Sequence, residues 1–278
     1  MITWRLIDSG PGAGSWNLAL DEAIFRSVSA GASPPTLRLY RWSEPTLSIG
    51  YAQDRERDVD TEACRARGIA VIRRVTGGRA VLHDAELTYS VAAPAGQPGF
   101  GSGLDEAYRH IAAGLVAGLR LLGVRAAVSA AGAREPGAHR QAGCFAVASR
   151  HEITVAGRKL VGSAQRRQEG AFLQHGSILL RSHGELAGQL LRRLPGAGAE
   201  PGMAGLEELL PGRPSPGEVA AAVVAGCSAA WCVAFAPGEV SAEEGRAAGA
   251  LEQGRYGAEG WNAGRLQGRG EMRTLGGA

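Results

Sequence analysis

Two short runs of strand character, His151 to Ala156 and Lys159 to Ala164, are joined by nothing but Gly157-Arg158. A two-residue connection is a hairpin signal, and here it begins in glycine, which tolerates the backbone angles of tight turns. A further strand is expected from Ala171 to Leu180. A chain with such a hairpin is not a plain repeat of strand–helix–strand crossovers. Other strands are expected at Trp4 to Asp8, Thr36 to Trp42, Thr46 to Ile49, Ile69 to Arg74, Ala80 to His83 and Glu86 to Ala92. Helical spacing places Leu18, Ala19, Ala23 and Ile24 on one face, and recurs from Gly103 to Gly123 through Ala107, Ile111, Leu115, Leu119 and Leu122. Asp60 to Arg67 reads as a helix ending at Gly68. Two later helices carry capping boxes, Ser215 with Glu218 and Ser241 with Glu244, and Pro216 suits the first helical position. Strands, hairpin and helices together argue for an α+β fold.

The chain has 278 residues, 45% hydrophobic and 21% charged, enough to bury a sizeable core and too apolar for disorder throughout. One domain over 1–262 with a glycine-rich, disordered tail over 263–278 is the expected organisation. The 42 glycines follow no G-X-Y period, so collagen is excluded. Ser129 to Gly143 reads as a loop, and Pro195 to Pro216 is Pro/Gly-rich with a short helical piece at Leu206 to Leu210. Val219 to Ala236 carries no charge, yet it is mostly alanine and valine. A buried helix running into a strand fits it better than a membrane span. Net charge is +3 without a basic stripe or tail. That argues against nucleic acid and suits an acidic protein or small molecule equally. Four cysteines form no C-x-x-C pair, and the N-terminus has no basic region followed by an apolar stretch. A reducing cytoplasm is the expected setting.

Of 30 basic residues only Lys159 is lysine; the other 29 are arginine. Either this is a remnant of compositional bias, or the site needs a compact, tunable amine that a guanidinium cannot replace. Arg73 to Asp84 joins two strands through Gly77-Gly78. This is either a plain glycine turn with solvated arginines, or a loop whose backbone approaches a ligand closely while arginines grip it. No Walker loop is present, and Ser15 and Pro11 spoil a dinucleotide fingerprint after Gly10, Gly12 and Gly14. Cys144 follows Gly143 between a loop and the hairpin, where an exposed nucleophile could sit. An ammonium nearby would raise its thiolate fraction. The alternatives are an inert buried thiol and a solvated lysine. Cys227 and Cys232 lie in the apolar run and read as buried and inert; Cys64 reads as bland on a surface helix. The six histidines match no zinc spacing, so no metal is expected. His83 and His175 fit a polar network or a ligand contact equally well. G-x-S-x-G is absent.

RRVTGGRAVLHDAELTYS (Arg73 to Ser90) resembles the lipoate/biotin ligase and acyltransferase superfamily. GCFAVASRHEITVAGRKLVGSAQRRQEGAFLQHGSILL (Gly143 to Leu180) narrows the resemblance to the cysteine-dependent octanoyltransferases of lipoyl assembly. Ser15 to Glu22 (SWNLALDE) and Arg255 to Asn262 (RYGAEGWN) fit that family's ends. The resemblance implies a mixed, largely antiparallel sheet flanked by helices, the class II synthetase-like catalytic fold. It implies transfer of octanoate from octanoyl-acyl carrier protein to the lysine of a lipoyl domain, typically the glycine cleavage H protein, with no cofactor, nucleic acid or membrane involved. It makes Cys144 the acyl-thioester nucleophile and Lys159 the group that lowers its pKa and contacts the acyl carbonyl. Arg74, Gly77, Gly78, Arg79 and His83 match the acyl-binding loop, and Gly162, Ser163 and Ala164 the strand beside the carbonyl. An arginine-rich surface such as Arg166-Arg167 would suit an acidic carrier protein. Ala146-Val147-Ala148 departs from the family's acidic and proline residues after the cysteine. Arg79 stands where many ATP-using ligases carry a third glycine. Those ligases, which need the lysine but no cysteine, and the amidotransferases acting between lipoyl domains are the competing readings.

Overall fold

The computed structural model describes residues 2–101, 103–129, 152–192 and 202–263. Among these, eight strands form one mixed sheet. In spatial order they are β11 (Val233–Pro237), β1 (Ile2–Gly12), β2 (Thr36–Trp42), β6 (Glu86–Pro94), β10 (Ala171–Leu179), β9 (Arg158–Gln168), β8 (Ile153–Val155) and β7 (Ala127–Val128). β1 runs parallel to both β11 and β2; the other pairings are antiparallel. A second sheet has β3 (Thr46–Ile49) between β4 (Ala70–Arg73) and β5 (Val81–His83).

Helices cover both faces of the large sheet. Along β2, Leu37 and Leu39 enter one core and Tyr40 and Trp42 the other, as the period of two requires. The first core is closed by α4 (Leu104–Leu121) and α7 (Pro216–Trp231), through Ile111, Leu115, Val219 and Val223. The second is closed by α1 (Gly14–Ser29), with Leu18, Leu20 and Ile24. β6 and β10 are buried along almost their whole length, so their polar residues Glu86, Thr88, Gln174, His175 and Ser177 must find partners inside the fold. α4 and α7 meet backbone to backbone: a Cβ on Gly226 would fall 2.1 Å from the Gly118 nitrogen. The shorter helices are α2 (Arg55–Asp58), α3 (Thr61–Ala66), α5 (Gly184–Leu190), α6 (Leu206–Leu209), α8 (Ala242–Leu251) and α9 (Glu259–Asn262).

The α+β layout agrees with the sequence reading, and both capping boxes start helices where expected. The uncharged run is indeed a helix turning into a strand, α7 into β11, with Cys232 in the left-handed region between them. No described helix is long and apolar enough to cross a membrane. Five described elements were not foreseen: α2, β7, α5, a π-turn at Glu252–Tyr256 and α9. The hairpin turn also sits one residue earlier than expected. β8 and β9 close at Val155↔Arg158, so the turn is Ala156-Gly157, with φ of 49° and 77°. Positive φ at both positions is the type I′ geometry, whose twist matches that of the strands.

Candidate active site

The loop joining β4 to β5 folds against Gly50. A Cβ there would lie 2.0 Å from the Gly78 carbonyl oxygen, so that position accepts no side chain. Gly78 itself has φ +88°. Arg74 laces the loop together. Its Nη2 donates to the carbonyls of Gly77 and Arg79, each at 2.7 Å. Its Nε donates to Thr76 Oγ1 at 3.1 Å, and its Nη1 to Ser48 Oγ at 3.0 Å. Arg73 is fully buried and donates to the carbonyls of Tyr51, Gln53 and Trp261. Neither arginine is therefore a solvated flank of a plain turn: each holds backbone in place.

Two buried chains of hydrogen bonds converge on Arg74. In one, His175 Nδ1 meets Asp21 Oδ2 at 3.0 Å and Nε2 meets Thr76 Oγ1 at 2.7 Å. In the other, His83 Nδ1 meets Glu86 Oε1 at 2.9 Å and Nε2 meets Ser48 Oγ at 2.8 Å. Both thus read carboxylate, imidazole, hydroxyl, guanidinium. A carboxylate only accepts, so the proton of a neutral ring sits on Nδ1 and Nε2 accepts from the hydroxyl. His83 is further stacked on Trp42, ring centroids 4.0 Å apart. Burial alone would raise the Asp21 carboxyl, but Arg38 at 2.7 Å and His175 outweigh it and hold it below its ordinary value. Burial pushes the His175 imidazole down. His83 and His175 therefore belong to polar networks behind the loop.

The second sequence block meets this loop edge on. Ala164 Cβ would lie 4.0 Å from a Cβ built on Gly78, and Ala164 pairs with His175 across β9 and β10. Ser163 Oγ is 2.7 Å from the Tyr89 hydroxyl, which accepts from Gln174 at 3.0 Å. Burial pushes the Tyr89 phenol up to about 12. Lys159 is 4% exposed and its Nζ donates to Glu152 Oε1 at 2.5 Å. A Cβ on Gly162 would be 2.9 Å from that Nζ, so the side chain lies across the glycine. The lysine is neither solvated nor peripheral.

Cys144 lies outside the described residues, as do Ala146-Val147-Ala148, so the expected thiol–lysine contact is not among the geometry here. The other thiols depart from their sequence reading in two cases. Cys64 is buried, 1% exposed, and burial pushes its thiol up to about 11. Cys232 is exposed because the helix has already ended there. Cys227 is buried, as its apolar run suggests, and burial raises its thiol strongly. Arg166 and Arg167 are half-buried; Arg166 Nη1 donates to the Val75 carbonyl at 3.1 Å and Arg167 to the Gly103 carbonyl. Among the described residues no cluster of His, Cys, Asp and Glu is placed to hold a metal ion.

Residue-by-residue reading missed Asp21, Ser48, Glu86 and Glu152. For Asp21 a signal existed: an acidic residue among the apolar positions of α1, where a charge needs a buried partner. Glu152 had none, because its partner is seven residues away across a turn.

A mixed sheet with helices on both faces, carrying a braced glycine loop and a buried lysine on β9, has the fold of the lipoate-ligase class of catalytic domains. Lipoate-protein ligase A bound with ATP superimposes with a TM-score of 0.80 at 28% identity, covering 96% of this chain and all of that one. The bi-partite lipoate protein ligase of Thermoplasma acidophilum, from its archaeal lipoylation system, gives 0.80 at 26%, covering 97% and 100%. Octanoyltransferase LipM of Kyrpidia tusciae is 44% identical over 273 residues, 94% of this chain and 99% of that protein. Octanoyltransferase LipM of Moorella thermoacetica is 44% identical over 88% and 92%. The chain belongs to the lipoyl protein ligase A/B catalytic domain family, whose model matches residues 14–228.

Proposed function

We propose that this protein is an octanoyltransferase of lipoate biosynthesis. The observation that carries the reading is the end-to-end likeness to two octanoyltransferases at 44% identity. Its fold neighbours among solved structures are lipoate ligases. Fold alone therefore leaves ligase and transferase together, and the sequence likeness separates them.

In this reading the octanoyl donor is acyl carrier protein and the acceptor is the lysine of a lipoyl domain, that of the glycine cleavage H protein being the expected one. Both partners would meet the enzyme in the cytoplasm. The Cys144 thiolate attacks the carbonyl carbon of the octanoyl thioester. The bond from that carbon to the carrier's sulfur breaks, and the carrier leaves as a thiol after taking up a proton. The acceptor amine then attacks the Cys144 thioester, loses its proton, and forms the amide as the thiolate is released. Thioester exchange is nearly balanced in energy, so the first step needs no nucleotide. The second is downhill because an amide is the more stable bond.

Lys159 is the cationic group facing the developing oxyanion, with backbone N–H groups of the strand beside it. Gly162, Ser163 and Ala164 flank the carbonyl, and Gly77, Gly78 and Arg79 bound the acyl chain. Arg74 and His83 serve this loop from within rather than by touching the chain. A preformed, braced loop lowers the ordering cost of binding a flexible eight-carbon chain.

Intact-mass spectrometry after mixing with octanoyl-acyl carrier protein, without ATP, tests the reading. One octanoyl adduct mapping to Cys144, absent in Cys144→Ser, is the expected result. No adduct, with a lipoyl domain modified only when lipoate and ATP are supplied, would make the protein a ligase.

A further inference from the structure

We infer that Glu152 is a positioning residue for acyl transfer: it holds the Lys159 ammonium over Gly162, where the acyl carbonyl is proposed to sit. The inference rests on the role given to Lys159 above and adds the device that fixes it.

Three observations carry it. First, both partners are buried, Lys159 to 4% and Glu152 to 7% exposure, and Nζ to Oε1 is 2.5 Å. Removing one partner of a buried ion pair leaves the other uncompensated, which is costly. Second, Lys159 and Gly162 are three residues apart, so a regular strand would set them on opposite faces. The β8–β9 register shifts between Ile153↔Val161 and Thr154↔Lys159, leaving Leu160 as an extra residue. Such an irregularity re-aims a side chain, and here it swings the lysine back over the glycine. Third, Glu152 directly precedes β8, whose Ile153 pairs with Val161 next to Gly162, so its carboxylate meets the lysine side chain that crosses that glycine.

The face is shared with groups of the proposed site. The Tyr108 phenol on α4 is half-buried and pushed up, chiefly by loss of solvent and then by Tyr89, with Arg74 and the Gln165 backbone opposing and Glu152 adding to the rise. Lys159 is anchored from behind as well: its backbone N–H donates to the Gly202 carbonyl and its carbonyl accepts from Ala204, each at 2.9 Å. The backbone is thus held on two sides, and the carboxylate of Glu152 decides where the long side chain ends.

Because Lys159 is the chain's sole lysine, its reactivity can be read without interference. The full-length protein is treated with a limiting amine-acylating reagent, and the Lys159 peptide is quantified separately from the N-terminal one. This is done for the wild type, Glu152→Gln, Glu152→Asp and Gly162→Ala. In parallel, kcat and KM for octanoyl-acyl carrier protein are measured. Expected in Glu152→Gln are labelling at least tenfold faster, kcat at least tenfold lower and KM within about twofold. Glu152→Asp should recover part of both. Gly162→Ala should speed labelling similarly, by displacing the lysine while the charge pair's residues remain. Unchanged labelling in Glu152→Gln, or faster labelling with unchanged kcat, would overturn the inference. A wild type that forms no acyl-enzyme, yet shows the labelling difference, would instead sink the functional reading and leave the ion pair a structural one.

Discussion

Arg74 shows how a residue can serve a ligand site without facing it. Four of its hydrogen bonds go to the loop it closes or to the hydroxyls that lead back to His83 and His175. A guanidinium presents several donors in a rigid fork; an ammonium presents fewer donors with no fixed geometry. Arg74→Lys should therefore lower stability by about 1–3 kcal/mol, the usual cost of leaving buried acceptors unmet. It should also lower kcat/KM by tenfold or more, as the Gly77 and Arg79 carbonyls lose their common donor. Urea unfolding and steady-state transfer assays measure the two effects. A stable variant with unchanged kcat/KM would show that the loop needs no brace. The sequence made Arg74, the glycines and His83 conspicuous because they are neighbours in one segment. Asp21 and Glu86 stayed hidden because a carboxylate's importance here lies in what it touches across the sheet.

Elements were legible where local chemistry alone decides them. Ser215 and Ser241 accept from the backbone N–H of Glu218 and Glu244, and those bonds form within four residues. The hairpin was visible too, but its turn was not, since Gly157 can occupy either central position of a two-residue loop. Arg158 is drawn into β9 by pairing with Val155, and Glu208 meets its side chain at 2.6 Å. Ala156 is then forced to φ 49°, a region that disfavours alanine by roughly 1–2 kcal/mol. Ala156→Asn, giving the Asn-Gly pair that type I′ turns favour, should raise stability by about 0.5–1 kcal/mol without altering transfer. A lower melting temperature would mean that the alanine methyl makes a contact worth more than the strain.

At the scale of the molecule, the two ends of the family likeness are one structure. Glu22 of α1 receives Arg255 at 2.5 Å and the Tyr256 hydroxyl at 2.6 Å, and Ser15 donates to Glu252. Trp261 and Asn262 in turn bond the backbone of Arg73, next to the glycine loop. The C-terminal part of the domain thus buttresses the site from behind. These buried networks also set the acid limit of the fold. Burial lowers the imidazoles of His110, His175 and His183 below their ordinary value of 6.5. The unfolded chain takes up those protons near pH 6.5 while the folded one resists. Stability should be full above that pH and fall progressively below it. Asp21, Glu22 and Glu86 are held low against the opposing effect of burial, by Arg38, Arg255 and His83 respectively. Their share should vanish only below about pH 4. Melting temperatures from pH 8 to 4.5 should bend downward near 6.5, and His175→Gln should flatten that bend. A flat profile through pH 5 would refute the histidine contribution.

What the chain's own order of residues determined is whatever depends on near neighbours: caps, periodic faces, the glycine pair, the hairpin, and the motifs that mark the family. Caps and turns close within a few residues, so their energetics are written locally. Tertiary structure alone decided which charges are buried together. Asp21 with Arg38 and His175, Glu86 with His83, Glu22 with Arg255, and Glu152 with Lys159 meet only once sheet order and register are set. The reason is physical: a buried charge persists only beside its partner, and packing selects that partner across the sheet.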